Sequence, residues 1–180
     1  MQETVLTSGP VRLVPFEADD LGQVQQLWSD PRAARFISSD NNTWSAAAAS
    51  GFIDQAIADQ QRHGFSRWKV LGPDGRFFGW AGFTALEETS EIELDYCLAL
   101  ETFEVFPNLP GQLCQDLVDW FFENTYFSHL VSVVRTDNRM VREVMLDAGF
   151  YFRESRQIGG MPCDVFQILS PSMQSYVLTA

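Results

Sequence analysis

Ile92-Glu93-Leu94-Asp95-Tyr96-Cys97-Leu98 alternates without a break: Ile92, Leu94, Tyr96 and Leu98 fall on one face, and Glu93, Asp95 and Cys97 on the other. A period of two over seven residues is a strand with one buried face, and it needs other strands to pair with. The chain supplies them. Val11-Arg12-Leu13-Val14 alternates ahead of Pro15, where a proline ends the ladder. Phe65–Leu71 and Phe77–Leu86 flank Gly72-Pro73-Asp74-Gly75, the composition of a tight hairpin turn. Leu130–Val134 reads as a buried strand and Cys163–Leu169 as the last one.

Helical spacing fills the intervals. Asp19 and Asp20 precede Leu21, Val24, Leu27 and Trp28, acids being favoured at a helix N-terminus. Thr43 suits an N-cap for a helix through Phe52, Ile53, Ala56 and Ile57 to His63 and Gly64. Asn108-Leu109-Pro110 reads as a cap with a first-turn proline, ahead of Leu113, Leu117, Trp120 and Phe121, with the run Trp120-Phe121-Phe122 expected in the core. Asn138–Ala148 is helical and stops at Gly149, a left-handed cap, with Phe150 returning to strand. The order is strand, two helices, three strands, helix, strand, helix, strand. It predicts one α/β domain over residues 1–180, with a mixed, twisted sheet of about six to seven strands covered by helices on both faces.

Composition narrows the function. Hydrophobic residues make up 46% and charged residues 20% of the 180, an ordinary globular balance. The formal charge is −12, from 12 Lys+Arg against 24 Asp+Glu. Such a surface repels phosphate backbones and anionic lipid, so neither nucleic acid nor membrane is an expected partner. Cys97, Cys114 and Cys163 are too widely spaced for a zinc site or a disulfide framework. Met1-Gln2-Glu3-Thr4 has no basic start or apolar run, so the cytoplasm is the expected compartment.

Particular residues add to the order. Arg12-Leu13-Val14-Pro15, Leu27-Trp28-Ser29-Asp30-Pro31, Thr43-Trp44, Gly79-Trp80-Ala81-Gly82-Phe83, Glu93-Leu94-Asp95-Tyr96-Cys97-Leu98, Phe122-Glu123, Asp137-Asn138, Gly149-Phe150 and Asp164-Val165-Phe166 follow one another at set spacing. Together they resemble the GNAT superfamily of acyl-CoA-dependent N-acyltransferases, in its ribosomal-protein-alanine acetyltransferase (Rim-type) branch. The resemblance implies that the fourth strand and the fifth are parallel and splayed. It implies acyl transfer from acetyl-CoA, or another acyl-CoA, to an amine of a small molecule or a protein N-terminus, without a metal. The donor's arm would bond the backbone of Cys97, Leu98 and Ala99. Its pyrophosphate would rest at the helix start near Asn108 and Gly111, and Asn138 would face the arm while capping its own helix.

The chain departs from the family in one place. The Gly-rich phosphate turn is replaced by Thr102-Phe103-Glu104-Val105-Phe106-Pro107-Asn108-Leu109-Pro110-Gly111. Two prolines there lack amide donors, and Glu104 adds negative charge. After Asn138, Met140-Val141 replace the usual Ala-Ser. The loop either cradles CoA differently, takes another donor such as a carrier-bound pantetheine arm, or belongs to a degenerate binding or scaffolding module. Phe103 and Phe106 would line a pocket or a homodimer contact.

Each candidate has two readings. Glu93, ahead of Asp95, is a general base acting through water, or both are solvated acids on a sheet. Cys97 is a packed small residue sooner than a nucleophile, since no His lies near it in sequence. His63 and His129 read as structural or solvent-facing. Arg139 and Arg142 reach a CoA phosphate or stay exposed. Glu87, Glu88 and Glu91 would rim an acceptor site and favour a cationic amine.

Overall fold

The computed structural model describes residues 2–35 and 45–179. Thr43 and Trp44, the expected cap and one of the family-like pairs, lie outside them. Its contacts divide the chain into two compact units, Met1–Thr84 with Asp95–Leu109 and Ala85–Leu94 with Pro110–Ala180.

The first unit carries β1 (Leu6–Ser8), β2 (Val11–Val14), β3 (Arg67–Leu71), β4 (Phe77–Ala85) and the second half of β5 (Ile92–Leu98), side by side in that order. β1 to β4 pair antiparallel. A turn closes the β3–β4 hairpin as its composition requires: Gly75 N donates to Gly72 O at 2.9 Å, and Arg76 N to the Asp74 carboxylate at 3.0 Å. After a short 3-10 turn at Ala18–Asp20 come α1 (Leu21–Ser29), α2 (Pro31–Ala34) and α3 (Ala46–His63). Ser45 caps α3, its hydroxyl accepting from Ala48 N, and Gly64 ends it with φ of 76°. Phe16, Val24, Leu27, Trp28, Ile53 and Trp80 form this unit's core. Phe52 packs edge-on to Phe16 and Trp28 at 5.6 and 5.0 Å, the favoured aromatic geometry. The chain leaves β5 through α4 (Leu100–Val105) and enters α5 (Leu109–Asn124).

Gly79 on β4 is fixed by close approach. A Cβ built there would lie 2.1 Å from Cys97 O, and its φ is 136°. Glycine is the residue whose backbone reaches both this conformation and this distance.

The second unit orders the first half of β5, then β6 (His129–Arg135), β8 (Met161–Leu169) and β7 (Tyr151–Ile158). β6 and β8 pair antiparallel from His129↔Leu169 to Arg135↔Cys163. β5 and β6, the fourth and fifth strands of the sequence reading, are parallel and share the single register pair Glu93↔Val131. α5 buries Leu113, Cys114, Leu117, Val118 and Phe121. Of the expected core run, Phe121 alone is fully buried while Trp120 and Phe122 are intermediate, because consecutive residues on a helix point 100° apart. α6 (Arg139–Asp147) and α7 (Pro171–Thr179) complete the unit.

The sheet has eight strands among the described residues, against the six to seven expected. The additional ones are β1, three residues long, and β7, of which the sequence signals only the return to strand at Phe150. Tyr-Phe-Arg-Glu-Ser-Arg-Gln-Ile in β7 has no apolar alternation, since the strand lies at the sheet's end and buries neither face.

Candidate active site

Glu93 lies on β5 where that strand makes its one pairing with β6, and it is buried at 9% exposure. Its carboxylate accepts from Val133 N at 3.2 Å. Val133 is two residues past the register pair, so a side chain, and not the β5 backbone, meets this ladder amide. A buried amide must be satisfied, and Glu93 does this where the two strands part.

Asp95 belongs to the other unit and has a different partner. Arg67 holds it through two hydrogen bonds, Nε to Oδ1 at 3.0 Å and Nη2 to Oδ2 at 2.6 Å. The same guanidinium lies over the rings of Phe52 and Trp80 at 5.4 and 5.1 Å. Glu93 is buried and Asp95, 22% exposed, is tied to Arg67 through both oxygens, so neither is a freely solvated acid.

Main-chain direction separates Cys97, Leu98 and Ala99. Ala99 N donates to Phe78 O at 2.8 Å, and Cys97 O is the oxygen that crowds Gly79. In an antiparallel strand both polar groups of a residue point the same way and alternate along the chain. Cys97 and Ala99 therefore turn toward β4, and Leu98 turns to the opposite edge. Ala99 N–H, expected to bind a donor, is already bonded within the sheet.

The expected loop after β5 contains a helix. Ala99 is extended (φ −60°, ψ 144°) and opens α4, Thr102 is the fully buried residue within it, and Phe106 N closes it on Thr102 O at 2.8 Å. Phe103 lies inside this helix, and Phe106 packs edge-on to Phe78 at 5.9 Å. Six residues are too few to show a helical stripe, so sequence periodicity gave no signal here. Asn108 is exposed just before α5, and Gly111 is in its first turn. Asn138 caps α6 as expected, its side chain accepting from Val141 N at 3.3 Å.

A family model described as an acetyltransferase (GNAT) domain matches residues 11–151. The chain belongs to the GNAT acetyltransferase family. No curated protein matches its sequence. Among solved structures it is similar to an acetyltransferase from Agrobacterium tumefaciens, 20% identical with a TM-score of 0.77 over 93% of this chain and 95% of that one. RimL, a ribosomal alpha-N-protein acetyltransferase in complex with coenzyme A, is 16% identical with a TM-score of 0.76, covering 93% of this chain and 98% of its own. The spermidine N-acetyltransferase from Vibrio cholerae, in complex with CoA and spermine, is 15% identical with a TM-score of 0.72, covering 90% and 96%. At these identities the likeness is one of fold.

As a GNAT acetyltransferase the chain is an enzyme, and several candidate groups find ordinary roles in it. Glu91 does not stand free at an acidic rim: Arg153 bonds it at 2.6 and 3.0 Å and His129 at 2.8 Å. The guanidinium pulls Glu91 down to about 2, burial opposes this, and the His129 bond adds to the pull. His63 stacks on Phe65 at 5.5 Å. Arg142 binds Asp164 at 2.9 Å and covers Phe166, while Arg139 stays exposed. Cys97 is buried and points at Ala33 O at 3.6 Å. Burial pushes its thiol well above the ordinary range, as it does for Cys114, which removes the thiolate a nucleophile needs. Among the described residues no acid, His and Cys cluster suits a metal, and no helix is long and apolar enough to cross a membrane. Arg67 and Arg153 were not singled out from the sequence, because their partners lie 28 and 62 residues away.

Proposed function

We propose that this enzyme, read as one acyltransferase domain, transfers an acyl group, acetyl by default, from acyl-CoA to a primary amine of a small molecule or a protein N-terminus. The observation that carries this reading is Glu93, a buried carboxylate held by a peptide N–H at the single pairing of parallel β5 and β6. Glu93 takes a proton from the acceptor ammonium, directly or through water. The freed amine attacks the thioester carbonyl, the C–N bond forms as the C–S bond breaks, the nitrogen gives up its second proton to solvent, and the thiolate leaves as CoA and is protonated from solvent. No covalent enzyme intermediate is needed, in keeping with a buried, protonated Cys97. That RimL was solved with coenzyme A and the Vibrio enzyme with CoA and spermine supports this donor and an amine acceptor. The reading carries with it a cytoplasmic location, where acyl-CoA is at hand.

In this reading the Leu98 main chain holds the donor's arm, beside Cys97 and Ala99. Asn138 meets the same arm, and the α5 start from Asn108 to Gly111 meets the pyrophosphate. A Cβ on Gly111 would meet no described atom within 4 Å. Packing therefore does not call for glycine here, although glycine in a helix costs about 1 kcal/mol relative to alanine. Close approach of a phosphate to the first-turn amides does call for it. Pro107 and Pro110 contribute no amides and Glu104 is anionic, so CoA affinity is expected near a millimolar or weaker. Losing two charge-assisted bonds at roughly 1.5–3 kcal/mol each removes about two to four powers of ten.

Calorimetry on the Gly111→Ala variant tests the assignment. The variant should melt higher by about 2–4 °C, what 1 kcal/mol of helix propensity yields in a chain of this size, and bind acetyl-CoA about tenfold more weakly. Unchanged affinity would take Gly111 out of the donor site, and low-micromolar wild-type affinity would show that the altered turn is an alternative cradle.

A further inference from the structure

β7 ends the sheet order, so among the described residues one of its edges has no strand beside it. The hairpin geometry fixes which groups line that edge. β7 and β8 meet through Ile158↔Met161 across Gly159 and Gly160, whose φ values of 55° and 78° make a two-residue turn. A closing pair of this kind is mutually hydrogen-bonded, so Ile158 faces β8 and its neighbour Gln157 faces outward. A separate contact agrees. Pro162, opposite Gln157, directs its carbonyl away from β7, to Thr136 N at 3.1 Å. With a period of two and unbroken register from Ser155 to Ile158, Ser155 and Gln157 present outward amides and carbonyls, while Glu154, Arg156 and Ile158 bond inward.

The charges along this edge complement themselves. Glu154 and Arg156 flank Ser155, share a face, and are ion-paired within the chain. Suppose a second β7 lies antiparallel beside the first, on a two-fold axis through Ser155. The two Ser155 residues then exchange N–H···O=C bonds. On either side Glu154 meets Arg156 of the other copy in a non-hydrogen-bonded pair, where side chains approach most closely. Shifted by two residues either way, the next registers that keep outward groups opposite each other, Arg156 would meet Arg156 or Glu154 would meet Glu154. The pattern thus selects one alignment. It also relieves a general repulsion, because the chain carries −12 overall while β7 has two arginines and one glutamate. Tyr151 and Phe152, 45% and 48% exposed at the start of the strand, add apolar surface beside the charged pairs.

We propose that β7 is a dimerisation edge, pairing antiparallel with β7 of a second copy of this chain about a two-fold axis at Ser155. The four alternating charges of Glu154 and Arg156 set the register, and the outward amides of Ser155 and Gln157 supply the ladder. The bulge between Phe152 and Glu154 ends the pairing at Arg153, the residue opposite Gln157 of the other copy, as bulges do on sheet edges.

Sedimentation velocity on the full chain over micromolar to sub-millimolar concentrations tests this. The wild type should form a dimer. Glu154→Arg and Arg156→Glu should each raise the dissociation constant at least about tenfold, since both cross-strand pairs become repulsive. The double reversal restores opposite charges and should restore the dimer. Amide hydrogen exchange on the wild type gives a second reading that depends on no variant: the Ser155 and Gln157 amides should slow as concentration rises. A monomeric wild type, single reversals that dimerise unchanged, a double reversal that stays monomeric, or exchange at these two amides that ignores concentration would each overturn the proposal.

Discussion

Glu93 and Asp95 are two positions apart on one strand, of one chemical class and on one face, yet they fall in different units with different partners. Asp95 in the first unit meets a guanidinium with both oxygens, beneath two aromatic faces. Glu93 in the second meets a peptide amide at the point where its strand leaves its neighbour. A carboxylate bound through both oxygens to a guanidinium forms a stable cross-link. Alternation in the sequence makes the two acids equivalent, and the tertiary partners tell them apart.

Three substitutions probe the comparison, the largest effect first. Gly79→Ala forces a Cβ against Cys97 O at a φ that alanine rarely adopts, and should cost at least about 3 kcal/mol by chemical denaturation. A loss under 1 kcal/mol would mean that this half of β5 is not held as tightly as the geometry indicates. Asp95→Asn removes a bidentate pair whose side chains are each 22% exposed. It should cost about 1 kcal/mol and change turnover less than threefold, whereas a hundredfold loss of rate would give Asp95 the role assigned to Glu93.

The smallest effect is one of pH. Glu91 is held at about 2, below the ordinary 4.5, chiefly by Arg153. A depressed carboxylate pKa stabilises the fold above the unfolded value and loses that contribution as pH falls through the folded one. Arg153→Gln should therefore melt below the wild type at neutral pH, with the gap closing between about pH 4.5 and about pH 2. A gap that persists at pH 2 would place the Arg153 contribution outside its bond to Glu91.

Much of the fold was legible because local signals and tertiary roles agreed. Val11–Val14 and Ile92–Leu98 coincide with β2 and β5, since buried strands show their faces as alternation. Gly64 and Gly149 end helices in left-handed conformations, and Asn138 caps α6, all features that act within a few residues. What stayed hidden is non-local or short. β7, signalled only by the return to strand at Phe150, lies at an edge and buries no face, α4 is too short for a stripe, and Arg67, Arg153 and Lys69 reach carboxylates 28, 62 and 49 residues away. Glu93 could be nominated from its place on an alternating strand. Its bond to Val133 could not, because that contact depends on where two strands separate.

The most direct test of the account is amine-dependent release of CoA thiol from acetyl-CoA by the wild type and by Glu93→Gln, over a panel of polyamines, small primary amines and peptides with free N-termini. Glutamine keeps an oxygen for Val133 N–H, so the variant should stay folded and bind acetyl-CoA as the wild type does. Its turnover on the best acceptor should fall about 10²–10⁴-fold, the range for loss of a general base. Turnover unchanged in a folded Glu93→Gln variant, or a wild type that acylates no amine of the panel at saturating acetyl-CoA, would contradict it.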